Sequence, residues 1–289
     1  MEHGGGPLHP TASLSPVTAS PVAAAGDAPV LEAQHVERRF GAVVAIADAS
    51  VALRRHEVLG LVGDNGAGKS TLLKILSGVL QADAGRILLE GSEIHIRRAQ
   101  DAMEAGIETV YQDLALVDTM SAYQNVYLGR EPLAKSPLLR LFNLVDDRAM
   151  RKRSREVLDA LSVKIPSINV SVKGMSGGQR QCLAIARAIL WGRKIVILDE
   201  PTAALGVRET AQVLDVIRDL RKHDVSVIVV SHNMAQLMEI ADRITVMRLG
   251  RTVATRVVKD TQVSEIVGLI TGAIGADPEE ETRRVTTPA

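Results

Sequence analysis

Short runs of apolar, mostly β-branched residues recur along the chain, and stretches with a helical spacing of apolar positions separate them. One such stretch has apolar residues at the i, i+1, i+4 and i+7 positions of an amphipathic helix: Val213, Leu214, Ile217 and Leu220. Strands that alternate with helices form mainly parallel sheets with helices on both faces. The pattern therefore predicts an α/β core with these buried strands: VLGLVG (58–63), IETVYQ (107–112), KIVILDE (194–200), VSVIVVSH (225–232) and ITVMRLG (244–250).

Three regions depart from this rhythm. Residues 31–57 and 85–96 alternate polar and apolar positions, which predicts antiparallel strands. Residues 113–175 are predicted to be helical and hold no convincing strand. They include the basic cluster RAMRKRSR (148–155), which we interpret as a solvated helix face rather than a docking patch. The predicted fold class is therefore α/β, with a mainly parallel sheet, an antiparallel β-subdomain and a helical insertion at about 113–175.

The two ends of the chain have a different composition from its middle. Residues 1–30 lack Lys and Arg and are rich in small residues, Pro and Thr, so they lack the basic start and apolar run of a secretory signal. We expect a disordered extension there and a disordered tail over 276–289. No apolar run approaches the roughly 18–20 residues of a membrane span. The folded domain is predicted to cover 31–275.

Charge and composition narrow the classes of function. Lys plus Arg equal Asp plus Glu at 34 each, which argues against nucleic-acid binding through bulk charge. Aromatic residues make up only 2%, so base-stacking platforms are scarce. The single cysteine, Cys182, excludes an intrachain disulfide and is interpreted as a small buried hydrophobe, which fits a reducing compartment.

The segment GDNGAGKST fits the pattern G-x-x-x-x-G-K-[ST] between a predicted strand and a predicted helix. Backbone N–H groups of such a turn surround phosphate oxygens, and the start of a helix favours negative charge. Lys69 is expected to reach the β- and γ-phosphates, and the Ser70 hydroxyl to bind Mg²⁺. The predicted nucleotide-binding residues of this phosphate loop are Gly63, Asp64, Asn65, Gly66, Ala67, Gly68, Lys69, Ser70 and Thr71.

Further polar residues follow the predicted strands at the edge where open α/β sheets bind ligands. Asp199 suits a Mg²⁺ shell, and Glu200 can orient or deprotonate an attacking water. His232 ends another apolar strand at the same edge and is predicted to be catalytic. The Gln112 amide can contact Mg²⁺ or water. Phe40 is expected to stack on a nucleobase, with a place in the core as the alternative.

A second glycine turn lies more than a hundred residues after the first. Ser176 and Gln179 have capping-box spacing, so they predict the start of a helix whose N–H groups can bind an anion. Plain helix capping is the alternative interpretation. We call residues 176–179 the signature segment, and its members are Ser176, Gly177, Gly178 and Gln179.

Taken in order, GDNGAGKST, YQD, MSGGQRQ, VILDEPTAAL and VSH resemble the motifs of the ATPase subunit of ATP-binding-cassette (ABC) transporters, over essentially residues 31–272. The resemblance implies the ABC ATPase fold with a phosphate-loop NTPase core. In that family two ATPase domains face each other head to tail, and the signature of one contacts the γ-phosphate of ATP held on the phosphate loop of the other. A second copy of this chain is therefore the expected partner.

A finer resemblance is to the single-cassette ATPases of bacterial simple-sugar importers of the ribose, xylose or fructose type, carried by YQDLALVDTMSAYQNVYLGRE, DEPTAALGV and SHNM. Two positions depart from the family pattern. Met175 replaces the usual Leu before the signature segment, a nearly volume-conserving change. Gly206 stands where most families have an Asp, so a carboxylate expected at the dimer interface is absent.

The resemblance implies an ATPase that uses ATP and Mg²⁺ and powers the import of a monosaccharide. A water oriented by Glu200 would attack in line, with Lys69, Mg²⁺, His232 and the opposite Ser176 and Gly178 offsetting charge. Expected partners are two transmembrane permease subunits and, indirectly, a periplasmic or surface sugar-binding protein, with no nucleic acid. The chain would lie at the cytoplasmic face of the membrane. Alternatives are another cargo such as amino acids, a soluble ABC ATPase in translation or DNA maintenance, and a non-enzymatic binding module.

Overall fold

The computed structural model describes residues 28–134, 142–192 and 194–275. Within these residues the strands are β1 (Pro29–Phe40), β2 (Val43–Arg54), β3 (Val58–Val62), β4 (Ala84–Leu89), β5 (Ser92–Ile94), β6 (Ile107–Val110), β7 (Ile195–Asp199), β8 (Ser226–Val230), β9 (Arg243–Arg248) and β10 (Arg251–Val257). They form one sheet in the order β5-β4-β1-β2-β10-β9-β3-β8-β7-β6. The five predicted buried strands are all present, and β10 is a strand that the sequence analysis missed.

The α-helices of the described residues are α1 (Lys69–Leu76), α2 (Ala99–Glu104), α3 (Ala122–Tyr127), α4 (Asp147–Ala160), α5 (Gly177–Trp191), α6 (Val207–Asp219), α7 (Met234–Ile240) and α8 (Val263–Thr271). Short 3₁₀ turns cover Val172–Gly174, Leu220–His223 and Val258–Asp260. The four apolar residues that predicted a helix from their spacing lie on α6 and the turn after it, and all four are buried.

The central part of the sheet is parallel. Strand β3 lies between β9 and β8, and β7 and β6 follow on the far side of β8, with all these pairs parallel. Every residue of β3 and β8 is buried, because helices cover both faces of these strands. The carboxyl ends of the five strands therefore meet at one edge of the sheet, where open α/β sheets bind ligands.

The other part of the sheet is antiparallel, as predicted from polar alternation. The long strands β1 and β2 form a hairpin, and β4 and β5 extend it on the β1 side. Strand β10 pairs antiparallel with β9 and meets β2 through a single parallel bridge between Arg251 and Asp48. This bridge joins the antiparallel part to the parallel core.

Two apolar clusters fill the two faces of the sheet. One holds α1 and the inner side of the antiparallel strands, and the other holds α3, α5 and α6. Neighbouring residues of a central strand alternate between the clusters: Ile228 belongs to the first and Val227 to the second. Cys182 of α5 is buried in the second cluster, and burial raises the pKa of its thiol to about 12. The prediction of a buried, hydrophobic cysteine is confirmed.

The described residues of the insertion 113–175 hold two α-helices, α3 and α4, and the 3₁₀ turn Val172–Gly174, which are connected by turns and loops. Its helices α3 and α4 pack on α5, and only two isolated β-bridges occur in its described residues. Trp191 at the end of α5 donates from its indole N–H to the Val126 carbonyl at 2.9 Å and packs edge to face on Tyr127. The basic cluster lies on α4, and four of its five cationic residues are exposed: Arg148, Lys152, Arg153 and Arg155.

The folded domain starts slightly earlier than expected, because β1 begins at Pro29 and Val30 is already buried. The expected extension over the preceding residues and the tail over 276–289 lie outside the described residues. None of the described helices is long and apolar enough to cross a membrane.

Candidate nucleotide-binding site

The phosphate loop connects β3 to α1 at the carboxyl edge of the sheet. Its turn uses positive φ angles of 154° at Gly63, 81° at Gly66 and 99° at Gly68, which side chains rarely permit. A Cβ atom on Gly63 would lie 2.2 Å from the Met247 carbonyl oxygen. Gly68 is the N-cap of α1, so no side chain caps this helix. The start of α1 therefore remains available to an anion.

Lys69 lies within the loop that precedes it. Its Nζ donates to the carbonyl oxygens of Gly63 at 2.6 Å and Asp64 at 2.9 Å. Burial lowers the pKa of Lys69, and the charges of Glu200, Asp64 and Asp199 act in the opposite direction. The lysine is therefore held at the phosphate loop with carboxylates nearby.

The other loop residues differ in exposure. Asn65 and Ser70 are exposed, Thr71 is half-buried, and the small side chain of Ala67 is buried. The Ala67 N–H donates to the Asp64 carbonyl at 3.1 Å, which closes the turn. Ser70, at the start of α1, is thus accessible to solvent.

Asp199 is the last residue of β7 and is half-buried. Burial and then the charge of Glu200 raise the pKa of its carboxyl, while Lys74 and Lys69 lower it. Burial and the neighbouring carboxylate thus disfavour the charged form of Asp199, and a bound divalent cation would favour that form. The described residues contain no group of three His, Cys, Asp or Glu that could hold a metal ion. A Mg²⁺ ion here would also need hydroxyl, amide and phosphate oxygens as ligands. Ser70 can supply a hydroxyl oxygen and Gln112 an amide oxygen.

Glu200 and His232 form a pair just beyond the strand ends. The Nδ1 atom of His232 lies 3.0 Å from Oε2 of Glu200, whose side chain is 18% exposed. Glu200 has a φ of 49°, and its N–H donates to the Val230 carbonyl at 2.9 Å. Left-handed backbone at a residue other than glycine is strained and is enriched at functional sites. The His232 side chain is 78% exposed and accessible to a ligand.

All five predicted buried strands end one or two residues earlier than expected. Strand β6 ends at Val110 and β8 at Val230, so Gln112 and His232 each lie two residues beyond a strand. Gln112 is exposed and lines a groove of about 440 Å³ together with Gly177 of the signature segment. The loop that follows Gln112 therefore faces the start of α5.

Phe40 lies at the end of β1 and is 44% exposed, so its alternative place in the core is wrong. The Arg38 guanidinium carbon lies 4.9 Å from the centroid of its ring. Arg38 in turn donates to Asp83 at 2.6 Å, which fixes the guanidinium. The exposed part of the Phe40 ring is available to a planar ligand.

The signature segment starts α5, as its capping-box spacing predicts. The Ser176 hydroxyl accepts from the Gln179 N–H at 3.4 Å, and the Ser176 N–H donates to Gln179 Oε1 at 3.0 Å. A Cβ atom on the buried Gly178 would lie 2.8 Å from Cβ of Glu209, and one on Gly177 would lie 2.9 Å from Leu205 Cδ2. Glycine is required at 178 because α6 packs closely against the start of α5.

Two residues of this region escaped the sequence analysis. Glu209 of α6 accepts from the Gly206 N–H at 3.2 Å, a capping interaction that the G-x-x-E spacing at 206–209 could have indicated. Arg187 of α5 donates to the carbonyls of Leu114 at 2.7 Å and Ala115 at 2.8 Å. Because carbonyl acceptors leave no pattern in a sequence, no signal pointed to this link between α5 and the loop after Gln112.

The two glycine turns have different partners in the described part of the chain. Lys69 interacts with its own loop and with the acids at the strand ends, whereas Ser176 interacts with Gln179 and Glu209. The phosphate loop, Asp199, Glu200 and His232 are thus brought to one edge of the sheet. The signature segment starts a helix whose contacts are with α6 and the helical insertion.

Curated relatives of this chain carry names from one class of protein. It is 44% identical over 246 residues to the fructose import ATP-binding protein FrcA of Rhizobium meliloti, covering 85% of this chain and 95% of the relative. It is 41% identical over 242 residues to the xylose/arabinose import ATP-binding protein XylG of Sulfolobus acidocaldarius, covering 84% and 94%. It spans 50% of the ribose import ATP-binding protein RbsA 1 of Rubrobacter xylanophilus, at 39% identity over 261 residues.

Solved structures share the fold at lower identity. An ATP-binding cassette of an ABC transporter in its ADP conformation superposes with a TM-score of 0.71 at 22% identity, covering 90% of this chain and 99% of that one. A dimeric bacterial ABC transporter cassette gives 0.65 at 21%, covering 79% and 98%. The family model described as ABC transporter matches residues 46–203, which include the phosphate loop, the signature segment, Asp199 and Glu200. The chain therefore belongs to the ABC transporter family and has the ABC ATPase fold.

Proposed function

We propose that this protein is the ATP-binding and ATP-hydrolysing subunit of a membrane transporter that imports a monosaccharide. The observation that carries the proposal is the convergence of the phosphate loop, Asp199 and the Glu200–His232 pair at the carboxyl edge of one parallel sheet. The monosaccharide class is supported by the relatives, which are named for the import of fructose, xylose/arabinose and ribose.

The phosphates of ATP would occupy the uncapped start of α1. The N–H groups of residues 63–71 would donate to the phosphate oxygens, and Lys69 would exchange its two carbonyl contacts for the β- and γ-phosphates. The adenine would stack on the exposed part of Phe40. In the dimer proposed below, the partner's copies of Ser176, Gly177, Gly178 and Gln179 would close the γ-phosphate side.

Hydrolysis would proceed by in-line attack of a water on the γ-phosphate. Glu200 would orient this water or accept its proton, and its carboxylate is already held by His232 at 3.0 Å. Lys69 and His232 would stabilise the charge that develops on the γ-phosphate. Ser70, Asp199 and Gln112 are the proposed residues for Mg²⁺, which when bound neutralises phosphate charge.

The proposed assembly is a head-to-tail dimer of this chain with two transmembrane permease subunits. Separate partner sets for the two glycine turns support it, since each chain would contribute its phosphate loop to one site and its signature segment to the other. The groove between the Gln112 loop and α5 is the proposed contact with a permease subunit. The chain would then lie at the cytoplasmic face of the membrane and meet the sugar-binding protein only indirectly. Its ATPase domain would extend from β1 to about residue 275.

Hydrolysis is tested with Glu200→Gln, which keeps the size of the side chain and removes its basicity. We expect ATP affinity to persist and the hydrolysis rate to fall by about 10²- to 10⁴-fold, the usual contribution of a general base. Lys69→Ala serves as the contrasting variant, because it should weaken ATP binding itself. A normal hydrolysis rate in purified Glu200→Gln protein would show that Glu200 is not the base.

The cargo is tested separately in cells. A strain that lacks this chain should lose uptake of one labelled monosaccharide among fructose, xylose, arabinose and ribose, and regain it with the wild-type chain but not with Glu200→Gln. Uptake of labelled amino acids should be unchanged. Loss of amino-acid uptake with all sugars unaffected would contradict the monosaccharide assignment and leave the ATPase assignment intact.

A further inference from the structure

The carboxylate of Glu209 lies on the start of the signature helix α5. The Gly206 N–H donates to its Oε2 at 3.2 Å, and the same oxygen lies 3.8 Å from where a Cβ on Gly177 would be. The nearby Ser176 hydroxyl and the N–H groups of Gly206 and Gly178 lower the pKa of Glu209. The close approach is independent of charge, since Cβ of Glu209 lies 2.8 Å from where a Cβ on Gly178 would be. An ionised carboxylate from α6 is therefore seated on the signature segment.

The local sequence explains why this carboxylate points towards the start of α5. Gly206 is the N-cap of α6 and has no side chain, so the first turn of α6 relies on Glu209 for capping. Oε2 of Glu209 contacts the Gly206 N–H at 3.2 Å, which directs the carboxylate back towards the start of both helices. The guanidinium of Arg180 adds a favourable charge on the α5 side.

Two anions can approach the hydrogen-bond donors at the start of α5. Under the proposed function, the Ser176 hydroxyl and the Gly178 N–H bind the γ-phosphate of ATP on the partner, and in the single chain the side chain of Glu209 packs beside them. Two anions cannot share these donors without strong repulsion. We infer that Glu209 is a positioning residue that keeps a negative charge at the signature segment of an isolated chain, where the γ-phosphate would bind, and moves away when the partner's ATP binds. The inference rests on the proposed function.

Glu209 also connects the two sites of the proposed dimer. The segment from Glu200 to Gly206 leads directly into α6, and its turn is closed by the hydrogen bond from the Ala203 N–H to the Glu200 carbonyl at 3.1 Å. Displacement of Glu209 by the partner's ATP would therefore act on the segment that follows Glu200 of the same chain. The chain thus links the site that its signature serves to the site that its Glu200 serves.

The test uses Glu209→Gln in the hydrolysis-deficient Glu200→Gln chain. Glutamine is accepted at this capping position, so the substitution removes the charge and keeps the cap. Dimer formation is measured by analytical ultracentrifugation against ATP concentration. We expect Glu209→Gln to lower the half-maximal ATP concentration about three- to fivefold, the effect of one charge at a helix start. Monomeric affinity for ADP, which lacks the γ-phosphate, should not change.

Three comparisons separate this role from a structural one. Asp215→Asn on the same helix makes the same change of charge away from the signature segment and should leave the ATP requirement unchanged. Glu209→Asp keeps an acid in the first turn of α6 but shortens its reach, so it should also lower the requirement and remains informative if Glu209→Gln folds poorly. In a Ser176→Ala background the effect of Glu209→Gln should shrink, because one shared donor is gone.

The outcomes distinguish this inference from the function on which it rests. An unchanged or higher ATP requirement in both Glu209 variants, with dimers still forming, would overturn the role of Glu209 alone. If the Glu200→Gln chain forms no dimer at saturating ATP, the proposed head-to-tail dimer fails and the inference fails with it.

Discussion

The phosphate loop and the signature segment are both glycine turns that lead into a helix, yet they are built differently. In the phosphate loop, Gly63, Gly66 and Gly68 adopt positive φ angles, and no side chain caps the following helix. In the signature segment, Gly177 and Gly178 belong to the helix itself. There the N-cap Ser176 and the carboxylate of Glu209 already occupy the helix start.

This difference shows what each turn can do alone. The phosphate loop has a backbone conformation that leaves its N–H groups for a ligand, and the carboxylates of Asp199 and Glu200 lie near its lysine. The signature segment needs glycine for close packing against α6, and the Glu209 carboxylate lies beside its donors. Under the proposals above, the first turn binds ATP within one chain, whereas the second contacts ATP only when the partner's γ-phosphate displaces Glu209.

The largest effect is expected when the two turns are inactivated in different chains of one dimer. Lys69→Ala disables the phosphate loop, and Ser176→Asp places a negative charge at the signature while keeping a good N-cap. Gly178→Asp is a poorer choice because its side chain would collide with α6. Each homodimer should be inactive. Mixed dimers isolated by two tags should recover up to about one half of the wild-type ATPase rate, since one site of two is sound.

The measurement is the ATPase rate of verified mixed dimers, with wild-type dimers carrying the same two tags as the control. Strong coupling between the sites would reduce the recovered rate below one half. Were both turns to serve one nucleotide within a single chain, mixing could restore nothing. A complete absence of activity in the mixed dimers would thus contradict the shared-site proposal.

A smaller effect separates the two roles of glycine. Gly63→Ala forces a Cβ against the Met247 carbonyl oxygen and should lower the free energy of unfolding by about 3 kcal/mol, with loss of ATP binding. Gly177→Ala is the matched control, because only the end of the flexible Leu205 side chain must move. It should change the free energy of unfolding by less than about 1 kcal/mol. Chemical denaturation and ATP titration of the two variants check both statements, and equal losses would remove the distinction.

The smallest expected effect concerns the cap of α5. Ser176→Ala removes the hydroxyl that accepts from the Gln179 N–H and should lower the free energy of unfolding by about 1 kcal/mol. ATP binding to the isolated chain should persist, because the phosphate loop does not use Ser176. ATPase activity of the dimer should fall. Loss of ATP binding to the monomeric variant would place Ser176 at the nucleotide of its own chain.

Much of this architecture follows from the sequence alone. Continuous β-branched runs such as SVIVV can be buried on both faces only in a sheet covered by helices, so they predicted the parallel core. The spacing of Ser176 and Gln179 predicted the capping box because a cap depends on residues only three positions apart. The phosphate loop is likewise local, since its lysine and glycines are fixed within one turn. The resemblance carried by these motifs also indicated the family to which the chain belongs.

Other features depend on contacts between segments far apart in the chain, and only the tertiary structure decided them. Strand β10 went unrecognised because its sequence, RTVATRV, has no strict alternation of polar and apolar residues, and the strand is defined by its pairing with β9 and β2. The sequence does not show whether the ring of Phe40 is buried or exposed. The exposure of this ring depends on how the β1–β2 hairpin packs on the rest of the sheet. The contact between Glu209 and the signature segment exists because α5 and α6 pack side by side, a juxtaposition that no local spacing records.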